Sequence, residues 1–366
     1  KKCKPLIRSL LRMGAYQILF MDVRDAAACS EAVSLAKKRG FGRLSGFVNG
    51  VLRTIVREKD RLPVPDKKEF DKYLSITYSV PEWLSRLMID QYGAQTAETM
   101  FASFLEARPL TIRTNLSVIT PEALEEELKK EGVSVERGAY LPYALTISHL
   151  NYLGKLAAFR QGKFAVQDES SQLAVEVADI NEGDFVLDVC AAPGGKTFHA
   201  ADRLHGTGKV LSRDLTEYKT DLIEENKDRM CYENVEVQQW DALVEDESLL
   251  ESVDVLLADL PCSGLGIMGR KNDIKYQMTQ QQLSELAQLQ RNILSVIWKY
   301  VKPGGEMIFS TCTLNRGENI ENIRWIEENT PMRLVSIEDY LPETLKGRTG
   351  SQGYLQLIPG KDSCDG

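Results

Sequence analysis

Apolar residues near the start of the chain recur at three- and four-residue intervals, in Leu6, Ile7, Leu10 and Leu11 and again in Tyr16, Leu19 and Phe20. That spacing lays them along one face of a helix. Further helices are predicted from about Ala27 to Lys38 and from about Leu44 to Arg57, joined by a turn carrying Gly40 and Gly42. Leu62-Pro63-Val64-Pro65-Asp66 reads as a linker, because two prolines in three residues disfavour helix and set an extended path.

From about residue 78 the pattern changes. Pro81 to Tyr92 predicts a helix with Pro81 in its first turn, and Leu110 to Asn115 alternates as a strand does. Thr120 is a candidate N-cap and Pro121 the first residue of a helix that ends before Gly132. After Asp168 strand and helix patterns alternate. Strands are predicted at Phe185–Val189, Lys209–Ser212, Val235–Val237, Val253–Leu260 and Glu306–Thr311, with a long helix over Gln281–Val301. This βαβ alternation predicts a doubly wound parallel sheet.

The chain is thus read as multidomain: an all-α unit over 1–62, a linker over 63–77, a small α+β module over 78–165 and a Rossmann-like α/β domain over 166–366. At 366 residues it is long enough for two or three domains. No stretch approaches the roughly 20 apolar residues of a membrane span, and no signal peptide is visible at the start, so the expectation is a cytoplasmic protein. Seven cysteines, at positions 3, 29, 190, 231, 262, 312 and 364, include no CxxC pair and read as reduced thiols.

Charge is divided unevenly. Residues 1–68 hold 16 Lys and Arg against 6 Asp and Glu, whereas residues 166–366 hold 19 against 35. The basic run fits either a solvated helical face or a surface that meets nucleic-acid phosphates without sequence preference.

Candidate chemistry gathers at the ends of the predicted strands. The first is followed by Cys190-Ala191-Ala192-Pro193-Gly194-Gly195-Lys196, a loop that lets backbone approach a ligand and opens a helix whose amides face it. Neither the dinucleotide fingerprint nor the phosphate-binding loop has this spacing, which disfavours a dinucleotide or ATP. Asp214, Asp241 and Asp259 end the next three strands; an acid after the second strand commonly accepts from ribose hydroxyls. Asp241 is then suitably placed for a base amine. Cys262 and Cys312 each sit just past a strand, where helix amides and Lys196 would lower a thiol pKa. Parallel strands would open both loops at one edge, so the two thiols are expected to share a pocket beside a nucleotide-like cofactor. Cys3, Cys29, Cys231 and Cys364 are read as inert. His149, His199 and His205 have no metal-ligand spacing, so no metal is expected.

Taken together, Cys190 to Thr197, Asp259-Leu260-Pro261-Cys262-Ser263-Gly264 and Ser310-Thr311-Cys312-Thr313 resemble the S-adenosylmethionine-dependent RNA 5-methylcytosine methyltransferases, in order and spacing over residues 160–330. The front half, Met13 to Phe20, Glu31 to Val33 and Phe47 to Arg53, resembles the NusB-like RNA-binding domain of the bacterial small-subunit ribosomal RNA methyltransferase B branch. Two positions depart from the pattern. Leu260 stands where a smaller residue is commoner, and Asn272, in the loop 270–275 expected around the base, where proline is frequent. Portions of the protein are expected to be missing at both ends, including a final Phe-rich strand.

The resemblance implies S-adenosylmethionine as cofactor and a cytosine of small-subunit ribosomal RNA as substrate. It makes Cys312 the nucleophile that adds to carbon-6, Asp259 the group at the cytosine edge and Cys262 the thiol that assists release. Lys196 would orient the base or neutralise charge. Cofactor binding falls to Cys190, Ala191, Ala192, Pro193, Gly194, Gly195 and Lys196 at the methionine end, Asp214 at the ribose, Asp241 at the adenine, and Asp259. A monomer is expected. The same chemistry on transfer RNA or another ribosomal site, or a noncatalytic RNA-binding assembly factor, are the competing readings; pure binding has no need of both thiols.

Overall fold

Pro5 opens the first helix, Pro5–Phe20, at a position where its missing amide hydrogen would have no partner. The inward face of that helix carries Ile7, Leu10, Gly14 and Ile18. Helices Asp25–Lys38 and Ser45–Glu58 complete a three-helix core through Ala28, Ala32, Ala36, Val48 and Leu52. Gly14 lets two of them close, since a Cβ there would lie 2.8 Å from Leu52 Cδ1. The computed structural model describes residues 3–62, 65–150 and 152–366. It divides into two units, Lys1–Glu69 and Phe70–Gly366.

Pro63 and Val64 of the expected linker lie outside the described residues. The later part of that stretch is not a linker: Phe70–Thr77 is a helix with Tyr73 and Leu74 buried. Its apolar positions have helical spacing, but eight residues are too short a window to show a period beside the two prolines. Helices Glu82–Tyr92 and Ala94–Ser103 follow. All three pack with Leu265, Met268, Leu283 and Leu314 in one core. They therefore back the α/β part, and only the residues that follow them build the α+β sheet.

Strands β1 (Leu110–Thr114), β2 (Ser134–Arg137), β3 (Ala144–Ser148) and β4 (Phe164–Val166) form that antiparallel sheet in the order β2-β3-β1-β4. Helix Pro121–Lys130 covers it through Leu124 and Leu128, and the Thr120 side chain caps the helix by accepting from the amide of Ala123.

The α/β part is a five-stranded, all-parallel sheet of β5 (Phe185–Asp188), β6 (Lys209–Asp214), β7 (Val235–Gln239), β8 (Val253–Asp259) and β9 (Val301–Ser310). Their order is β7-β6-β5-β8-β9. Alternate residues feed two cores. Val186, Val210, Val255 and Leu257 face one side with Phe198, Ala201 and Ile223. Leu187, Leu211, Leu256 and Ala258 face the other with Ile293, Leu294, Ile297 and Ile326. Burial on both faces is why these strands read as continuous apolar runs. The long helix spans Gln280–Ile297 rather than reaching Val301. β9 starts earlier than expected, at Val301, and bulges across Lys302 to Gly305, so that Val253 pairs with Val301 but Val255 with Glu306.

Candidate active site

Because all five strands run parallel, their carboxyl ends share one edge, where an open α/β sheet binds ligands. The strand order sets the sequence of groups along it. Asp241 follows β7, Asp214 ends β6, the loop 189–194 follows β5, Asp259 to Cys262 end and follow β8, and Ser310 to Cys312 end and follow β9.

At the β8–β9 end, Asp259 and Ser310 are register partners. The two cysteine loops leave side by side, and the amide of Gly266 donates to the carbonyl of Cys312 at 2.9 Å. Cys262 Sγ and Cys312 Sγ come to 3.3 Å. Two thiols so close do not ionise together. The contact with Cys262 holds Cys312 below the ordinary thiol range, with Lys196 and Lys271 adding to the effect against burial. Cys262 is pushed well above that range by the same contact and by burial. The expectation that both thiols are acidified is therefore corrected: one is favoured as thiolate, the other as its hydrogen-bond donor.

Lys196 is the second residue of helix Gly195–Arg203. Its Nζ donates to Asp259 Oδ2 at 2.7 Å and to Ser171 Oγ at 2.9 Å, while Ser310 Oγ donates to Asp259 Oδ1 at 3.0 Å. These bonds join four elements beside the thiols: helices Gly195–Arg203 and Glu169–Glu176 and strands β8 and β9. The helix is secured from below by Thr197, which donates to Asp188 at 2.8 Å and lies 3.0 Å from Ser212 Oγ. Burial pushes the Asp188 carboxyl up to about 7.

At the other end, Asp214 is buried and accepts from the amides of Ala192 and Leu215 and from Lys219 Nζ at 3.0, 2.7 and 2.8 Å. Asp241 Oδ1 accepts from the amide of Leu243 at 3.0 Å; its other oxygen has no partner among the described residues. Between them, Ala191 and Ala192 tie the glycine loop to β6 through Arg213 O and Asp214. Gly194 takes φ +99°, and a Cβ there would meet the Phe198 ring at 2.3 Å. The loop delivers the first-turn amides of Gly195–Arg203, which have no partner within the helix. Burial, with Asp214 and Asp188 nearby, pushes the Cys190 thiol in this loop up to about 12.

These groups fit S-adenosylmethionine. Free helix amides suit its carboxylate, a strand-end carboxylate on an exchangeable lysine suits a ribose diol, and an open carboxylate oxygen suits an adenine amine. Sequence reasoning did not single out Ser171, Ser263, Gln290 or Glu318. Glu318 is wholly buried and hydrogen-bonded to the loop of Cys262. One signal was present: Gln290 is a polar residue on the buried face, with Leu283, Ile293, Leu294 and Ile297, of an otherwise amphipathic helix. In the segment 270–275, Arg270 reaches Asp365, Asp168 and the carbonyl of Pro109 at 3.1, 3.4 and 2.8 Å. Among the described residues no cluster of His, Cys, Asp and Glu is placed to hold a metal, and no helix is long and apolar enough to cross a membrane.

Three family models match the chain: "16S rRNA methyltransferase RsmB/F" over residues 175–366, "NusB family" over 1–57, and "Methyltr_RsmF/B-like, ferredoxin-like domain" over 80–151. A "Probable ribosomal RNA small subunit methyltransferase B" of Bacillus subtilis (strain 168) is 36% identical over 374 residues, covering 100% of this chain and 82% of its own length. The solved structure of PH0851 superposes with a TM-score of 0.84 at 27% identity, over 99% of this chain and 81% of that one. NSun6 from Pyrococcus horikoshii, solved with SFG, shares the fold at a TM-score of 0.69 and 22% identity, over 78% and 96%. With a family match across more than half its length and a relative aligned along all of it, the chain belongs to the 16S rRNA methyltransferase RsmB/F family, whose methyl donor is S-adenosylmethionine.

Proposed function

We propose that the protein methylates carbon-5 of a cytosine in small-subunit ribosomal RNA, with Cys312 as nucleophile and Cys262 as the thiol that releases the product. The observation that carries this reading is the pair of sulfurs at 3.3 Å beside the Lys196–Asp259 pair. The names of relatives from Bacillus subtilis and Vibrio cholerae support the choice of ribosomal RNA.

S-adenosylmethionine supplies an electrophilic methyl group on a positively charged sulfur. Carbon-5 of cytosine is a weak nucleophile, and the enzyme's task is to raise its electron density. Addition of the Cys312 thiolate to carbon-6 forms a sulfur–carbon bond and moves the ring's C5–C6 electron pair toward carbon-5. Ring nitrogen-3 takes up a proton through Asp259, which Lys196 resupplies across 2.7 Å.

Release requires the carbon-5 proton to leave and the ring nitrogen-3 proton to return through Asp259 to Lys196, so that the double bond re-forms and Cys312 departs as thiolate. Cys262 is held protonated chiefly by its contact with Cys312. That cause disappears once the Cys312 sulfur is bonded to carbon. Cys262 then gives its own proton to solvent and takes the one from carbon-5.

Asp214 binds the ribose in exchange for Lys219, Asp241 binds the adenine amine, and residues 190–196 enclose the methionine end. The target base leaves its stack to reach the two thiols, so a single-stranded or looped cytosine is the substrate. Residues 1–62 form a NusB-like RNA-binding domain and the sheet within 78–165 a second RNA-binding module; residues 166–366, backed by the helices from Phe70 to Ser103, form the catalytic domain. All the site residues come from one chain. Deleting residues 1–68 is expected to weaken RNA binding and flatten its salt dependence, and unchanged affinity would contradict this.

The test is incubation of the protein with unmodified small-subunit ribosomal RNA and methyl-labelled S-adenosylmethionine, followed by nucleoside analysis. Labelled 5-methylcytosine is the expected product. Label on another nucleoside, or only on transfer RNA, contradicts the reading.

A further inference from the structure

Glu318 lies at the end of the turn Arg316–Glu318, six residues past Cys312, and is wholly buried. No ion pair reaches it among the described residues; instead it accepts four hydrogen bonds. Its Oε1 takes Ser263 Oγ at 2.6 Å and Asn315 Nδ2 at 3.0 Å. Its Oε2 takes the amide of Ser263 at 2.8 Å and Gln290 Nε2 at 3.4 Å.

The donors are not spread at random through the core. Ser263 follows Cys262, and its hydroxyl also lies 2.6 Å from Thr313 Oγ1, on the residue after Cys312. Gln290 donates to the carbonyl of Pro261, the residue before Cys262, at 2.8 Å and accepts from Asn322 at 2.7 Å. One carboxylate with its donors thus grips the chain on both sides of Cys262 and just beyond Cys312. A buried carboxylate without a cation is costly, and an apolar side chain would fill the space more cheaply. What the network adds is geometric: hydrogen bonds of this kind fix position far better than apolar contact does.

We propose that Glu318 is a positioning residue that clamps the Cys262 loop to the Cys312 loop and so fixes the sulfur–sulfur contact on which product release depends. The proposal rests on the two-thiol reading above. Its test does not require that reading to succeed, because it reads the thiols and not the product.

Modification of Cys312 by iodoacetamide, followed by mass spectrometry across a pH range, reports how readily its thiolate forms. The midpoint in Cys262→Ala is expected above that of the wild type. Glu318→Gln is expected to move it the same way, with methyl-donor binding retained, and to add no further shift in the double variant with Cys262→Ala. A wild-type midpoint in a folded Glu318→Gln protein overturns the proposal. So does a shift that persists in full on top of Cys262→Ala, since Glu318 would then act on Cys312 without its partner. Should glutamine at 318 prevent folding, Ser263→Ala keeps the carboxylate and the backbone bond and is expected to show a smaller shift in the same direction; its absence also overturns the clamp. An inactive wild type whose Cys312 midpoint still responds in this way would refute the proposed reaction and leave the clamp standing.

Discussion

Cys262 Sγ and Cys312 Sγ lie 3.3 Å apart, although fifty residues separate them in the chain. The contact follows from topology. β8 and β9 are parallel neighbours with Asp259 opposite Ser310, so the residues just beyond each strand emerge together at one edge.

Such proximity is directly measurable. A mild diazene oxidant should take two electrons and both thiol protons from the pair and leave a Cys262–Cys312 disulfide, whose sulfurs are about 2.05 Å apart. The expected result is loss of methylation, an identified cross-linked peptide, and recovery of activity with a dithiol reductant. Inactivation without that peptide would mean that the sulfurs do not meet.

The pH dependence has a definite sign. On the proposed reading Cys312 adds as thiolate, and because its thiol is held below the ordinary value of 9.0, adduct formation should rise with pH with a midpoint below pH 9. In Cys262→Ala the donor thiol is gone, and the rise should move to higher pH. Single-turnover measurements with ribosomal RNA check both. A wild-type rate that rises only above pH 9 would remove the basis for a favoured thiolate.

Lys196 Nζ and Asp259 Oδ2 lie 2.7 Å apart, and on the proposed reading they move one proton between them. Lys196→Met and Asp259→Asn should each slow methyl transfer by about 10²–10⁴-fold, the range for loss of a positioned proton donor or acceptor. The double variant should be little worse than either single one. Effects that multiply would show the two residues working independently.

The sheet and both thiols were legible because parallel strands buried on two faces leave continuous apolar runs, as in Val253 to Asp259, and because loops at strand ends carry the chemistry. The roles of Glu318 and Gln290 were not legible. The bonds that give Glu318 its role come from Ser263 and Gln290, which are 55 and 28 residues away, so no local pattern announces them. Cys262 was misjudged for a related reason. Its thiol is raised by a neighbour that only folding brings to it, and the nearby helix amides and Lys196 pointed the other way.

Helix Phe70–Thr77, expected to be linker, provides a stability test. Leu74 is fully buried among Leu84, Met88, Phe101 and Leu265, so Leu74→Ala should destabilise the Phe70–Gly366 unit by about 2–5 kcal/mol. Denaturant unfolding checks this. A change within about 0.5 kcal/mol, the range for surface substitutions, would return the segment to a loose connection.

The central claim is that Cys312 bonds to the base and Cys262 frees it. The most direct measurement is incubation of Cys262→Ala with small-subunit ribosomal RNA and methyl-labelled S-adenosylmethionine, followed by a denaturing gel. A labelled protein–RNA band that survives denaturation, and that disappears when Cys312→Ala is added to the variant, is the predicted result. Normal turnover by Cys262→Ala, or methylation by a protein lacking Cys312, would contradict it.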